Sequence, residues 1–82
     1  NDPQFEIEFN LFPNPASSIL TVKLSDSKKF DLHVYDASGR IVYEQTNLVR
    51  EHEMNVSKYR KGMYFLQIVT DQGMSTRRFI KE

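Results

Sequence analysis

The chain has no cysteine and no tryptophan, only three glycines and three prolines, and no net charge over its 82 residues. Each scarcity excludes something. Without cysteine there is no disulfide staple and no thiolate metal ligand, although the lack of cysteine does not fix the compartment. No apolar run approaches the ~20 residues that span a bilayer as a helix. A balanced charge offers nucleic acid no broad basic footprint. The three glycines all fall at corners, which leaves none for a phosphate-cradling loop, and no Gly-x-Ser-x-Gly elbow occurs. A chain this short buries one thin core and has little area left for an enzyme cleft, so a single domain is expected.

What is present is β-rich. Hydrophobic residues make up 39% and aromatics, all Phe and Tyr, 12%, a composition that folds. Apolar residues alternate with polar ones, the period of a half-buried strand. This predicts strands over Phe5–Phe9, Ile19–Leu24, Phe30–Tyr35, Arg40–Gln45, Glu51–Val56, Met63–Thr70 and Met74–Lys81. Leu20, Val22 and Leu24 share one face, as do Phe30, Leu32 and Val34. His52, Met54 and Val56 share another. The Met63 segment is apolar on both sides, with Tyr64, Leu66 and Ile68 opposite Phe65 and Val69, and is expected to be central and covered.

The corners are explicit. Asp36-Ala37-Ser38-Gly39 reads as a type I turn closed by a left-handed glycine, with the Asp36 carboxylate bonding the backbone two residues on. Asp71-Gln72-Gly73 is expected to repeat the device, and Gly62 to make the tight corner before the central strand. Residues Val56 to Lys61 have room for one short helical turn. Seven short strands with turns at this spacing predict a β-sandwich. Two of the prolines bracket one asparagine, Pro13-Asn14-Pro15. Proline fixes φ and pushes the residue before it toward extended backbone, so Phe12 to Pro15 is expected to be a stiff, extended connector.

Candidates for chemistry are weak. His33 is expected on a solvent face and His52 beside Met54, without metal-ligand spacing. Glu6 and Glu8 share a strand face with nothing apolar nearby to raise a carboxyl pKa. Asp26, Asp31 and Asp36 are too dispersed for a calcium loop. No catalytic residue, metal or cofactor is expected. Tyr35, Tyr43, Tyr59 and Tyr64 admit a sugar-stacking platform, or else Tyr43 and Tyr64 pack in the core with Tyr35 and Tyr59 capping it. Charge is uneven: Asn1–Ser57 carries five basic and nine acidic residues, Lys58–Glu82 six basic and two acidic. This is either two faces of one domain or a basic end that meets an acidic partner.

Three blocks, "NLFPNPASSILTVKL", "VYDASGRIVYEQ" and "VSKYRKGMYFLQIVTDQGMSTRRFIKE", follow in order from about Asn10 to Glu82. Together they resemble the type A C-terminal sorting domain of the type IX secretion system of Bacteroidota. The resemblance implies an antiparallel, Ig-like β-sandwich of seven strands at the C-terminus of a secreted cargo protein. It implies passage through the periplasm, translocation across the outer membrane by the secretion translocon and its shuttle components, and removal by a sortase-like cysteine peptidase at the cell surface. The cargo is then anchored or released. The chain opens on Asn1 without a signal-peptide pattern, which fits the C-terminal piece of a longer protein, with residues 1–9 including the end of a linker from the cargo domain.

The family motifs fall on Leu11, Pro13, Asn14, Pro15 and Ala16, then on Asp36, Gly39 and Arg40. They continue on Gly62, Tyr64, Leu66 and Gly73, and end on Arg77, Arg78, Phe79, Ile80 and Lys81. Arg40 is expected to brace its hairpin against a nearby carboxylate or carbonyl. Tyr59 stands where the family usually has leucine. The arginine pair stands where lysine is commoner, a change that alters how carboxylates are bound. The alternative reading is a carbohydrate-binding or adhesion sandwich.

Overall fold

A strand that is apolar on one face must bury that face against a second layer. In the computed structural model, which describes residues 7–25 and 29–82, two β-layers do this for each other. The strands are β1 (Phe9–Phe12), β2 (Ile19–Leu24), β3 (Lys29–Asp36), β4 (Ile41–Val49), β5 (Glu51–Asn55), β6 (Gly62–Thr70) and β7 (Gly73–Lys81). One sheet has the order β1-β2-β5 and the other β4-β3-β6-β7, with every pairing antiparallel. The all-β sandwich read from the alternation is therefore the fold.

The expected inward faces form the core. Leu20, Val22 and Leu24 of β2 join Phe30, Leu32 and Val34 of β3, Tyr64, Leu66 and Ile68 of β6, and Phe9, Met54, Val56 and Phe79 in one cluster. Burying an aliphatic or aromatic side chain of this size contributes about 1.5–3 kcal/mol. The sheets are also tied at both flanks. The Tyr43 hydroxyl lies 2.7 Å from His52 Nε2, joining β4 to β5. Arg77 Nη1 donates to the Phe9 carbonyl at 2.7 Å, joining β7 to β1.

Five expectations need correction. The first strand runs over Phe9–Phe12. Residues 1–6 lie outside the described residues, and Ile7 and Glu8 are not in a strand. The ladder ends at Pro13, which has no N–H to donate. The fourth strand continues to Val49, four residues past Gln45. Its register slips opposite Phe30–Leu32, and Asn47 takes φ 59°, so Leu48 returns to the core side across from Phe30. A bulge of this kind breaks the period that the alternation relies on. The β6 strand is central, between β3 and β7, but Phe65 and Val69 on its outer face are only half-buried, because no third layer covers that face. Residues 56–61 make a turn, with Tyr59 N–H donating to the Val56 carbonyl at 3.0 Å, and not a helix. At the β6–β7 corner Thr70 pairs directly with Gly73. The Thr70 hydroxyl, not Asp71, accepts from the Gln72 N–H at 3.0 Å.

Candidate recognition surface at one end of the sandwich

The Asp36–Arg40 corner is locked by one carboxylate. Asp36 Oδ1 accepts from Ser38 N–H at 3.0 Å, Ser38 Oγ at 2.8 Å and Arg40 N–H at 3.0 Å. Its Oδ2 accepts from Arg40 Nε at 3.3 Å, so Arg40 braces its own hairpin as expected. Gly39 sits at φ 93°, where a Cβ would strain the backbone. The Ser38 hydroxyl and then the Arg40 N–H favour the ionised carboxylate and hold the Asp36 pKa down at about 2.

The facing corner, residues 55–64, is fixed in a different way. Asn55 Oδ1 accepts from both the N–H and the hydroxyl of Ser57, at 2.9 and 2.6 Å. The Tyr64 hydroxyl donates to the Arg60 carbonyl at 2.7 Å. The Tyr59 ring lies 5.3 Å from that of Tyr64, which stacks on Phe79 at 5.4 Å. Tyr59 thus buries its ring where the resemblance had leucine. Burial, with the nearby Tyr43 and Tyr64 phenols, pushes its own hydroxyl up to about 12.

The proline corner is a bend and not an extended connector, and the Phe12–Pro13 and Asn14–Pro15 bonds are both cis. Its polar groups are spent on the end of β7. Asn14 Oδ1 accepts from the Ile80 N–H at 3.0 Å. Ala16 N–H donates to the Ile80 carbonyl, and Glu82 N–H to the Ala16 carbonyl, both at 2.8 Å. Ala16 is fully buried and bridges Lys81 in parallel. The corner therefore covers the outer edge of the last strand.

The terminal motif does not act as one exposed unit, because strand alternation divides it. Phe79 is fully buried and Lys81 nearly so. Arg77 is exposed overall but lays its guanidinium over the Phe9 ring, 4.4 Å from the centroid. Arg78 and Ile80 remain exposed.

Register brings most of the remaining motif residues to one end of the sandwich. Asp36 pairs with Tyr64, Gly62 with Lys81 and Met63 with Ile80, and Ile80 is held by Asn14 between Pro13 and Pro15. Gly73 lies at the far end of the β6–β7 hairpin. Leu11 and Leu66 pack against or within the core. An open groove of about 560 Å³ runs between the Asp36–Arg40 and Lys58–Gly62 corners.

Of the four tyrosines, Tyr64 is buried and Tyr35, Tyr43 and Tyr59 are half-buried. Among the described residues no group of three or more His, Asp or Glu side chains is placed to hold a metal. The Tyr43–His52 and Arg77–Phe9 ties had no local signal in the sequence. Asn55 did, as an Asx turn two residues ahead of Ser57.

Residues 10–82 match the model of a family described as a secretion system C-terminal sorting domain. No curated protein matches by sequence. Among solved structures, the chain is similar to part of PorZ, described as an essential bacterial surface component of the type-IX secretion system of Porphyromonas gingivalis. The TM-score is 0.76 at 17% identity, over 90% of this chain and 11% of that one. It is also similar to a DUF3244 family protein from Bacteroides vulgatus with an immunoglobulin-like β-sandwich fold. There the TM-score is 0.71 at 22% identity, over 94% of this chain and 95% of that one. At these identities both likenesses establish the fold.

Proposed function

Because the chain belongs to the family of type IX secretion C-terminal sorting domains, we propose that it carries an attached cargo across the outer membrane through the end of the sandwich where its motifs converge. Membership implies export to the cell surface or the medium. Neither this family nor an Ig-like fold is one of enzymes. The proposal adds transit through the periplasm, engagement by translocon and shuttle components, and removal by a sortase-like peptidase ahead of the domain.

One observation carries the proposal. Motif residues as distant as Asn14, Asp36, Gly62 and Ile80 are joined at one end by pairing and hydrogen bonds. A folded recognition surface assembles such residues from separate parts of the chain, whereas a linear tag reads them as one run.

The strand edge offers a mode of engagement. β7 is an edge strand, and the Ile80 backbone points outward to the proline corner. Alternation then turns the backbone groups of Met74, Thr76 and Arg78 to the same, uncovered side. We propose that a partner strand adds there. A Thr76→Pro variant removes one outward N–H without touching the β6 ladder.

The test is a reporter. Residues 1–82 are fused to the C-terminus of a fluorescent protein bearing an export signal, in hosts with and without a working type IX system. Fluorescence at the surface or in the medium only in the competent host supports the sorting role. Reporter left in the periplasm of both hosts, with the domain folded, overturns it. Secretion of Thr76→Pro at the parental level overturns strand addition alone.

A further inference from the structure

The groove between the two locked corners is cationic on a chain of zero net charge. Arg40, Lys58, Arg60 and Lys61 line it, with Asp36 as its one acid. Asp36 is already satisfied by Ser38 and Arg40. Among the described residues Lys58, Arg60 and Lys61 make no ion pair, and all three are exposed. Their loop is held by its backbone and by Tyr59 and Tyr64, so binding orders the three side chains but not the backbone that carries them.

The groove also has an apolar wall. Val42 and Met63 line it while 41% and 38% exposed. A phosphate polymer brings nothing to cover such side chains. An extended peptide with acidic and apolar residues in alternation covers both walls at once, apolar side chains on one side and carboxylates on the other. Arg40 and Arg60 provide the planar fork that carboxylates accept bidentately.

We propose that this groove binds an extended acidic peptide segment of a partner protein, with an apolar side chain against Val42 and Met63 and carboxylates on Lys58, Arg60 and Lys61. The inference deepens the sorting reading by giving its recognition surface a partner chemistry, and it rests on that reading for its biological setting.

The experiment titrates the 82-residue chain with a fluorescein-labelled peptide of alternating Glu and Leu. The same peptide with Lys for Glu, inorganic phosphate, and phosphatidylglycerol vesicles serve as comparisons. The expected result is saturable binding of the Glu–Leu peptide that weakens with salt, with NMR shifts on Val42, Met63 and residues 58–62. The triple variant Lys58→Glu, Arg60→Glu, Lys61→Glu should bind at least about tenfold more weakly, and Val42→Ser with Met63→Ser several-fold more weakly. Lys23→Glu, on β2, should bind as the parent does. All the charge changes are on exposed side chains, and circular dichroism confirms the fold.

Equal binding by parent and triple variant overturns the inference, as do shifts confined to the Gly73 end. Vesicle binding that depends on the three cations, with no peptide binding, overturns it in favour of an anionic lipid surface. A secreted reporter whose domain binds no peptide sinks the groove inference and leaves sorting standing. Peptide binding by a domain that fails to sort does the reverse.

Discussion

The Ile80 N–H donates to Asn14 Oδ1 at 3.0 Å across 66 residues of chain. Without this bond, an edge-strand donor would stand open beside the flanking Ala16 bridge. Asn14→Ala should lower stability by about 0.5–1.5 kcal/mol, measured by urea unfolding, and should speed hydrogen exchange at the Ile80 amide. Asn14→Asp keeps an acceptor and should restore protection. Unchanged exchange in Asn14→Ala would remove the proline corner's role as an edge cover.

Asp36 gives the domain an acid-side dependence of known sign. Its folded pKa of about 2 lies below the ordinary value of 3.8. Its contribution is therefore present above the unfolded pKa and is lost as pH falls from about 4 through 2. Asp36→Asn should be less stable than the parent at neutral pH, and the gap should close over that interval. Thermal melts at stepped pH test this, and a gap that stays constant down to pH 2 would refute it.

Phe79 and Ile80 are neighbours with opposite fates. Phe79 is fully buried against Tyr64, and Ile80 is 40% exposed. Phe79→Ala should cost about 3–5 kcal/mol, enough to unfold most of a marginal small domain. Ile80→Ala leaves its backbone bonds in place and should cost under about 1 kcal/mol. Calorimetry on the pair reads the division of the terminal motif directly.

The Tyr59 hydroxyl is buried with no hydrogen-bond partner among the described residues. Tyr59→Phe should leave neutral-pH stability unchanged or raise it by up to about 1 kcal/mol. Its folded pKa is raised from 10.0 to about 12. Its contribution is thus present below pH 10 and is lost as pH rises toward 12. The phenylalanine variant should resist that alkaline loss, followed by circular dichroism. A large loss of stability in Tyr59→Phe at pH 7 would show that the hydroxyl is bonded.

Legibility followed period and distance. β2 and β3 could be read because Leu20, Val22 and Leu24, and Phe30, Leu32 and Val34, alternate with polar residues, and β6 because its long apolar run is bounded by glycine corners. β4 was cut short because the bulge at Asn47 breaks the alternation. The Asp36–Arg40 corner was legible in its turn and in the Asp36 bond to the Ser38 N–H, since all of its partners lie within four residues. Asn14 was not, because its partner is a backbone amide on the last strand, and no local pattern points that far. The division of Arg77 and Arg78 was available in principle. Counting back by twos from Phe79 puts Arg77 on the same strand face, toward Phe9, but treating the terminal residues as one motif hid the alternation.

The clasp between Asn14 and Ile80 also bears on when the fold can close. Contacts of such sequence separation are the slow step in folding, since the chain must be joined end to end before they contribute. A ribosome has to release nearly the whole domain before Phe79 can enter the core and Ala16 can bridge Lys81. A polypeptide terminated early, even just before Phe79, lacks the strand end on which the motif-bearing surface is built. The two ends of the domain are thus mutually dependent: the proline corner has no strand to cover until β7 is in place, and the end of β7 has no cover without the proline corner.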